Sequence, residues 1–174
     1  MIRGKFLTSR DDTRAVMDIR MRVFVDEQGF SPEAEIDAFD QMAVYALVYD
    51  EDDRPAGTGR LIIDGKSRFQ IGRVCVLPEA RRRGLGDLVM RMLLYRALEL
   101  GAGEVWVGAQ LPAVGFYARY GLAPRGEVYD EEGVPHRWMT ARAEEINLEG
   151  SCGGASRCAG CAGDCSGCAE GPKA

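Results

Sequence analysis

A basic, glycine-containing loop is the part of this sequence whose residue types and spacing best suit binding chemistry. An apolar segment ends at Val76, Pro78 makes a turn, and residues 81–86 (RRRGLG) lead into a long apolar segment with helical periodicity. The first N–H groups of a helix have no acceptors within the helix, and the helix dipole favours an anion there. Glycine lets a ligand approach the backbone, and arginine adds charged, forked donors. The loop therefore predicts a site for a phosphate or diphosphate group.

Two common phosphate-binding motifs do not account for this loop. Val89 stands where the dinucleotide-binding motif G-x-G-x-x-G requires its third glycine, and no Gly-Lys-Ser/Thr of a P-loop follows. What remains is the pattern Arg81-x-x-Gly84-x-Gly86 after an apolar strand and a V-x-P-E turn. A basic loop in front of an ordinary helix start stays open as the simpler interpretation.

The elements next to the loop follow from periodicity and turn residues. Three consecutive strands, expected at residues 43–49, 57–63 and 67–76, form an antiparallel meander with an Asp64-Gly65 hairpin signal. A helix over residues 87–100, closed by Gly101, crosses over to a short strand at 105–109. That strand should lie parallel to the strand at 67–76.

The remaining elements complete one domain. Ser9 and Asp12 form an S-x-x-D pattern that predicts the N-terminal cap of a helix. The apolar face of that helix comprises Val16, Ile19 and Val23. Further elements are expected at 2–7 (strand), 28–40 (loop or short helix), 112–120 (short helix), and near 127–129 and 137–140 (strands). The predicted fold class is α+β (mixed α/β), with one central sheet and helices on both faces.

Composition limits the classes of protein that the chain can belong to. It has 174 residues, a formal net charge of −5 and 46% hydrophobic residues, which suit one globular domain with an appendage. The negative charge argues against a general nucleic-acid-binding protein and leaves room for a cationic substrate. No apolar run approaches a membrane span, and the N-terminus lacks the apolar core of a signal peptide. We therefore expect a cytoplasmic protein with reduced cysteines.

Five of the six cysteines lie in a C-terminal tail of different composition: Cys152, Cys158, Cys161, Cys165 and Cys168. From Gly150 onward the residues are mostly Gly, Ala, Cys and Ser, which cannot build a core. We expect a domain at residues 1–148 and a flexible tail at 149–174. Two C-x2-C pairs suit zinc or an iron–sulfur cluster, although their spacing matches neither the usual zinc ribbon nor a ferredoxin. A disordered, redox-sensitive tail is the alternative.

Further motifs follow the loop, and their order along the chain is informative. After Val76-x-Pro78 and the loop come Ala109-Gln110, then Phe116-Tyr117 and Tyr120-Gly121-Leu122. Over residues 2–140 this order resembles the GNAT superfamily of acetyl-coenzyme A (acetyl-CoA)-dependent N-acetyltransferases. Three more segments are similar to its ElaA-like branch: residues 20–28 (RMRVFVDEQ), 35–40 (EIDAFD) and 133–139 (GVPHRWM). The tail lies outside the resemblance.

The resemblance implies the GNAT acyl-CoA N-acyltransferase fold, in which the strand ending at Val76 and the strand near Val105 splay apart. The pantetheine arm of acetyl-CoA would enter the gap and pair with the first strand, where a main-chain N–H would polarise the thioester carbonyl. The loop amides would bind the pyrophosphate. The implied acetyl-CoA-binding residues are Val74, Cys75, Val76, Arg82, Arg83, Gly84, Leu85, Gly86, Asp87 and Gln110.

Tyr117 is the catalytic residue that the resemblance implies, as the general acid that reprotonates the coenzyme A thiolate. Cys75 would lie beside the thioester, although a cysteine in an apolar strand is usually a core residue. Many members of the superfamily carry a glutamate about where Val105 stands, and valine cannot accept a proton. The general base therefore stays open, between a water relay to a distant carboxylate and another residue.

Several titratable residues are candidates for the acceptor side of such a site. Four of them are acidic and could attract a cationic amine or form only a solvated acidic loop: Glu27, Glu35, Asp37 and Asp40. His136 is the only histidine, a residue type that often transfers protons in active sites, although a lone histidine is more often structural.

Two functions from different classes fit these observations. The first is direct transfer of an acetyl group from acetyl-CoA to a primary amine of a small molecule or a protein, which Tyr117 and Gln110 favour. The second is a non-catalytic acyl-CoA-binding domain with a metal-binding or redox-responsive tail, which Val105 favours slightly. The sequence leaves the acceptor and the oligomeric state open, with a homodimer as one option.

Overall fold

The computed structural model describes residues 2–65 and 67–149, which form one seven-stranded sheet with helices on both faces. The strands are β1 (Arg3–Thr8), β2 (Val44–Tyr49), β3 (Pro55–Ile63), β4 (Arg68–Val76), β5 (Glu104–Gln110), β6 (Ala123–Glu131) and β7 (Val134–Arg142). The helices are α1 (Arg14–Arg20), α2 (Pro32–Glu35), α3 (Leu85–Glu99) and α4 (Val114–Ala118). The α1 helix continues as a π-helical segment, Met21–Glu27.

The strand order is β1-β2-β3-β4-β5-β7-β6. Every neighbouring pair is antiparallel except β4 and β5, which run parallel after the α3 crossover. This confirms the predicted mixed fold, the meander and the parallel pair. The prediction placed β6 and β7 as short strands, whereas each spans nine residues.

The predicted N-terminal cap at Ser9 is wrong. The α1 helix begins at Arg14, after an N-cap Thr13 that makes no side-chain capping bond. The Ser9 hydroxyl instead donates to the Gln41 carbonyl at 2.7 Å. Asp11, rather than Asp12, engages the preceding turn, where it accepts from the Thr8 N–H at 2.8 Å. Serine and aspartate stabilise turns as readily as helix starts, so the pattern alone could not separate the two.

The core lies on both faces of the sheet. On one face, α3 buries Val89, Met90, Leu93 and Leu94 completely. It packs closely on β3 at Gly59, which has no side chain. A Cβ at this position would lie only 2.7 Å from a Leu93 methyl group. On the other face, α1 and the π-helical segment that continues it bury the predicted stripe of Val16, Ile19 and Val23.

A β-bulge interrupts β4 near its carboxyl end. Thr58 pairs with Cys75 and Arg60 pairs with Gly72, so that Arg73 and Val74 together stand opposite the single residue Gly59. Arg73 takes a left-handed backbone conformation with φ of 53°. A bulge of this kind bends and twists its strand. It therefore turns the end of β4 at the point where the candidate site lies.

Candidate active site

The parallel strands β4 and β5 separate halfway along their length. Their pairing runs from Arg68 opposite Glu104 to Ile71 opposite Val107 and ends there. Beyond that point β4 pairs only with β3, and β5 pairs only with β7 as far as Gln110 opposite His136. The bulge at Arg73 begins two residues after the last pair, which explains the divergence. A gap therefore opens between residues 72–76 and residues 108–110.

The basic loop stands at the end of this gap with its main-chain donors unused. Within the described part of the chain, the N–H groups of residues 82–87 have no hydrogen-bond acceptor. The first backbone bond of α3 runs from the Leu88 N–H to the Gly84 carbonyl at 3.0 Å. Consecutive free N–H groups at a helix start suit an anion.

The side chains of the loop divide into two kinds. Arg82 and Arg83 are exposed and pair with no carboxylate among the described residues. Arg81 instead forms a two-pronged ion pair with Glu27, at 2.8 and 2.7 Å. The loop therefore offers the two free guanidinium groups of Arg82 and Arg83 to a ligand. The guanidinium group of Arg81 is already engaged by Glu27.

The two glycines of the loop differ in what they allow. Gly84 has a φ of 77° and precedes α3, a conformation that other residues adopt only with strain. Gly86 has no such requirement, and a Cβ there would lie 3.7 Å from the Phe116 ring and 3.8 Å from a Val76 methyl group. The start of α3 thus lies against the end of β4 and against α4.

The main chain of β4 faces the gap at Val76. The Leu77 N–H donates to the Ala56 carbonyl of β3 at 2.8 Å. The Val76 carbonyl belongs to the same trans peptide as this N–H and points in the opposite direction. The Val76 carbonyl therefore points toward the gap, where it accepts from Arg81 Nε at 3.1 Å. A ligand amide that bonds to this carbonyl must share it with Arg81 or displace the guanidinium.

Tyr117 and Cys75 are both buried, with 6% and 3% of their surface exposed. Burial raises the pKa of the Tyr117 phenol, with a smaller contribution from Cys75, so the phenol is protonated at neutral pH. Its hydroxyl makes no hydrogen bond with the described residues. Burial likewise raises the pKa of the Cys75 thiol, which suits the core role. Tyr117 thus holds a hydroxyl proton that no described residue accepts, near the end of β4.

Gln110 bonds to a residue that the sequence did not single out. Its Nε2 donates to Gln28 Oε1 at 2.9 Å, and Gln28 Nε2 is a buried donor without an acceptor among the described residues. Gln28 ends the π-helical segment, whose wider turn is seen in the bond from the Gln28 N–H to the Val23 carbonyl. The two side chains form an amide pair across the mouth of the gap.

A small pocket that opens to solvent adjoins this amide pair. Phe24 and Phe30 form one wall, with their rings edge to face at 6.2 Å. The hairpin between β6 and β7 forms another and is tied to the start of α2, because Glu132 accepts from the Ser31 N–H and hydroxyl at 2.7 Å each. The remaining lining residues are Ala34, Glu35, Arg73, Gln110, Glu131 and His136.

The acidic candidates from the sequence are already paired. Glu35 binds the fully buried Arg20 at 2.6 Å, and Asp40 binds the same guanidinium at 2.6 Å. Asp37 binds Arg60 at 2.7 Å. Together with Arg73, which binds Glu35 at 3.0 Å, these residues form an ionic cluster in which three arginines balance three carboxylates. Neither interpretation from the sequence, amine-attracting carboxylates or a solvated loop, describes them.

His136 lies in the pocket and is 6% exposed. Its Nδ1 is 2.8 Å from the Val134 carbonyl, and its ring stacks on Tyr129 with centroids 5.6 Å apart. Nε2 faces Glu131 at 3.8 Å. Val105, by contrast, is wholly buried in the core and offers no group for proton transfer.

The part of the site contributed by Gln28, Arg73 and Glu131 was missed from the sequence. Arg73 bridges toward Glu131 at 3.5 Å because the bulge turns its side chain to this face, and Glu131 reaches the pocket from a hairpin. The segment RVFVDEQ carried a usable signal for Gln28, since it was similar to other members of the superfamily. The bulge had no comparable signal.

The predicted tail falls outside the described residues, and so do its five cysteines. Zinc or iron–sulfur binding there stays a prediction. Within residues 2–65 and 67–149, no group of three or more His, Cys, Asp or Glu side chains is arranged to hold a metal ion. In the same residues, no helix is long and apolar enough to cross a membrane.

Comparison with known proteins identifies the family and the fold. Residues 16–143 match the acetyltransferase (GNAT) domain. The uncharacterized N-acetyltransferase YjcF of Bacillus subtilis is 35% identical over 123 residues, which cover 70% of this chain and 86% of that protein. ElaA of Escherichia coli superposes with a TM-score of 0.72 at 28% identity, over 80% of this chain and 99% of ElaA. An acyl-CoA N-acyltransferase of Pseudomonas aeruginosa gives a TM-score of 0.70 at 29% identity, with the same coverage.

The match spans both halves of the site, from α1 to the end of β7. It includes the diverging strands, the basic loop, Gln110 and Tyr117. With the domain match and the identity to YjcF taken together, the chain belongs to the GNAT family of acetyltransferases.

Proposed function

We propose that this protein transfers an acetyl group from acetyl-CoA directly to a primary amine. One observation carries the proposal: the gap between β4 and β5 opens beside six consecutive N–H groups, residues 82–87, that have no acceptor in the described part of the chain. A thioester on a long arm fits the gap, and a diphosphate fits the free N–H groups.

The residues around the gap suit the binding of acetyl-CoA. Arg82 and Arg83 add charge beside the free amides, and the absence of a side chain at Gly84 keeps the backbone accessible. The Val76 carbonyl and the amide pair of Gln28 and Gln110 provide polar partners for the amides of the pantetheine arm. Gln28 Nε2 is a donor still in need of an acceptor, and a ligand carbonyl would supply one.

The chemistry of the proposal is acyl transfer without a covalent enzyme intermediate. The acceptor nitrogen attacks the thioester carbonyl carbon, the carbonyl pair moves to oxygen, and the collapse of this intermediate expels the thiolate. Tyr117 then gives its proton to the sulfur. Its raised pKa keeps the phenol protonated until the thiolate forms, and its hydroxyl is not engaged by the described residues. Cys75 is not needed as a nucleophile.

The charge of the pocket favours a cationic acceptor. Because the cluster around Arg20 is balanced, Glu131 and Glu132 leave the pocket with an excess of negative charge. Phe24 and Phe30 can cover the apolar part of an amine, or its ammonium group. A small-molecule amine and a protein N-terminus both meet these conditions.

The test begins with calorimetric titration of the full chain with acetyl-CoA. A parallel titration uses S-acetyl-N-acetylcysteamine, which keeps the thioester but lacks the diphosphate. We expect saturable binding of acetyl-CoA and far weaker binding of the short thioester. Equal affinity for the two ligands would contradict a role for the loop.

Catalysis is tested with a panel of polyamines, aminoglycosides, amino acids and peptides with free N-termini. The acetylated product is measured by chromatography, because the six cysteines of the chain would react with a thiol reagent. The charge-reversal variant Arg82→Glu/Arg83→Glu should weaken acetyl-CoA binding. Arg10→Glu, at an exposed position that forms no ion pair among the described residues, is the matched control. Product from no member of the panel would count against catalysis.

A further inference from the structure

The pocket next to Gln110 contains one imidazole, that of His136, whose hydrogen bonding indicates which ring nitrogen is the donor. His136 Nδ1 lies 2.8 Å from the Val134 carbonyl oxygen, which can only accept a hydrogen bond. Nδ1 must therefore carry the proton. In the neutral imidazole the lone pair then lies at Nε2, on the side of the ring that faces Glu131.

The ring is held in this orientation from two directions. Tyr129 stacks against it at an interplanar angle of 27°, and the bond to Val134 fixes its rotation. His136 also pairs with Gln110 across β5 and β7, where residues directly opposite point to the same face of the sheet. Nε2 is thus held at the mouth of the gap, on the face that carries Gln110.

Apart from Glu131, the other charged groups of the pocket are already held by neighbouring residues. Glu35 is held by Arg20 and Arg73, and Glu132 is held by Ser31. Arg73 donates to the Ala34 carbonyl at 3.0 Å. Glu131 lies 3.5 Å from Arg73 Nη1 and 3.8 Å from His136 Nε2, too far for strong hydrogen bonds. The charged or titratable groups that face or adjoin His136 are Glu35 on α2, Arg73 on β4, Tyr129 and Glu131 on β6, and Glu132 in the hairpin.

We propose that His136 is the general base of the transfer, a role that rests on the proposed function. Nε2 takes a proton from the ammonium group of the acceptor, and the nearby Glu131 carboxylate stabilises the imidazolium that forms. This answers the question raised by Val105, since the base reaches the site from β7 instead of β5. Glu131 acts as a positioning residue for the acceptor and for the charged imidazole.

The protons balance in this sequence. The acceptor ammonium gives its first proton to Nε2, which later passes it to solvent. The free amine forms the new C–N bond, and the C–S bond breaks with its electron pair on sulfur. The nitrogen of the intermediate loses a second proton, which replaces, through water, the one that Tyr117 gives to sulfur. One proton is released for each acetyl group transferred.

The first test reads the imidazole itself. Because the chain has a single histidine, ¹⁵N-histidine labelling gives two ring signals that need no assignment by mutation. We expect the signals of an Nδ1–H tautomer at high pH, and a shift of the Nε2 signal when 2-phenylethylamine is added in the presence of coenzyme A. An Nε2–H tautomer would overturn the proposal.

The second test uses two variants at this position and the best acceptor from the panel above. In His136→Asn the side-chain amide can keep the bond to Val134 but offers no basic nitrogen. We expect kcat/KM to fall about 10²-fold, with loss of the acid limb of the pH profile and no change in acetyl-CoA affinity. In His136→Ala we expect added imidazole to restore a measurable part of the rate. Full activity of His136→Asn, or a lost rate that imidazole does not restore, overturns the proposal.

The matched pair for the neighbouring carboxylate is Glu131→Gln and Glu127→Gln, of which Glu127 is exposed on the same strand. We expect only Glu131→Gln to raise the KM of the acceptor. The failures are distinguishable: a wild-type chain without product contradicts the proposed function, whereas an active wild type with an unchanged His136→Asn variant contradicts only the role of His136.

Discussion

The Tyr120 hydroxyl donates to Asp87 Oδ1 at 2.6 Å, and this bond joins the end of α4 to the first turn of α3. Tyr120 is fully buried, and Asp87 is held further by Arg91 at 2.7 Å. Tyr120, three residues after Tyr117 in the motif, is thus bonded to α3, the helix whose first N–H groups lie beside the gap. Tyr117, the proposed general acid, and the proposed diphosphate site are therefore linked through the hydrogen bond between Tyr120 and Asp87.

We expect Tyr120→Phe to lower the free energy of unfolding by about 1.5–3 kcal/mol, the range for a hydrogen bond to a charged group. Because Asp87 would also lose a constraint on its position, acetyl-CoA should bind more weakly. Denaturant unfolding and calorimetry measure the two effects. Tyr95→Phe, at an exposed position on α3, should change neither, and equal behaviour of the two variants would contradict this role for the bond.

Tyr117→Phe should behave in the opposite way. The Tyr117 hydroxyl makes no hydrogen bond with the described residues, so its removal should leave the free energy of unfolding unchanged. The rate kcat should fall by about 10²-fold if the phenol protonates the thiolate, while acetyl-CoA affinity stays the same. Steady-state kinetics with the acceptor found in the panel measures this, and an unchanged kcat would assign the proton to another donor.

Much of the fold could be predicted because local patterns and tertiary packing agree. The apolar stripe of α1, the Asp64-Gly65 hairpin and the crossover through α3 each specify one element with little competition. The left-handed position at Gly101 ends α3 as predicted. The predicted cap at Ser9 was wrong because the Ser9 hydroxyl donates to the Gln41 carbonyl, 32 residues away. A contact over this distance cannot be predicted from a local sequence pattern.

The site was less predictable than the fold. Its glycine loop, Tyr117 and Gln110 stand in recognisable motifs, whereas the environment of the acidic residues depends on contacts between distant segments. Asp40, for example, meets Arg20 and Arg60 only after α1 and β3 pack together. Sequence spacing cannot distinguish a carboxylate that attracts a substrate from one that neutralises a buried guanidinium.

Within the ionic cluster, Asp40 predicts a dependence of stability on pH that Glu35, whose pKa is raised by burial, does not share. Burial raises the pKa of Asp40, but the hydrogen bonds and charges of Arg20 and Arg60 outweigh it and hold this pKa well below its usual range. A carboxyl whose pKa is depressed in the folded state stabilises the fold above its unfolded pKa of about 3.9. That contribution disappears as the pH falls below about 4, through the lower folded pKa.

We expect Asp40→Asn to destabilise the fold by about 3–5 kcal/mol at neutral pH, because it leaves Arg20 with too little negative charge in a buried site. The loss of stability on acidification should also become shallower. Urea unfolding at several pH values measures both. Asp18→Asn, on the exposed face of α1, is the control and should follow the wild type.

The two loop glycines predict different outcomes for the same substitution. Gly84→Ala places a side chain in a left-handed conformation, which costs about 1–2 kcal/mol, and puts a methyl group beside the free N–H groups. Gly86→Ala meets only ordinary van der Waals contacts with Phe116 and Val76. We expect Gly84→Ala to lose stability and acetyl-CoA affinity, and Gly86→Ala to keep its stability and to lose less affinity than Gly84→Ala. Thermal unfolding measures the stability of the two variants, and calorimetry measures their acetyl-CoA affinity. Weaker acetyl-CoA binding by Gly86→Ala than by Gly84→Ala would contradict the proposed position of the diphosphate.

Removal of residues 150–174 tests the predicted domain boundary and the role of the tail. The described residues contain the gap, the loop, Tyr117 and the pocket, so the shortened chain should keep its melting temperature, its acetyl-CoA affinity and its kcat. Elemental analysis of freshly purified full-length protein and of the shortened chain gives the second readout. Zinc or iron found only in the full chain would place a metal on the tail cysteines, because thiolates prefer these metals and the described residues hold no comparable cluster. A shortened chain that keeps its fold and its acetyl-CoA affinity but loses turnover would instead make the tail part of the catalytic unit.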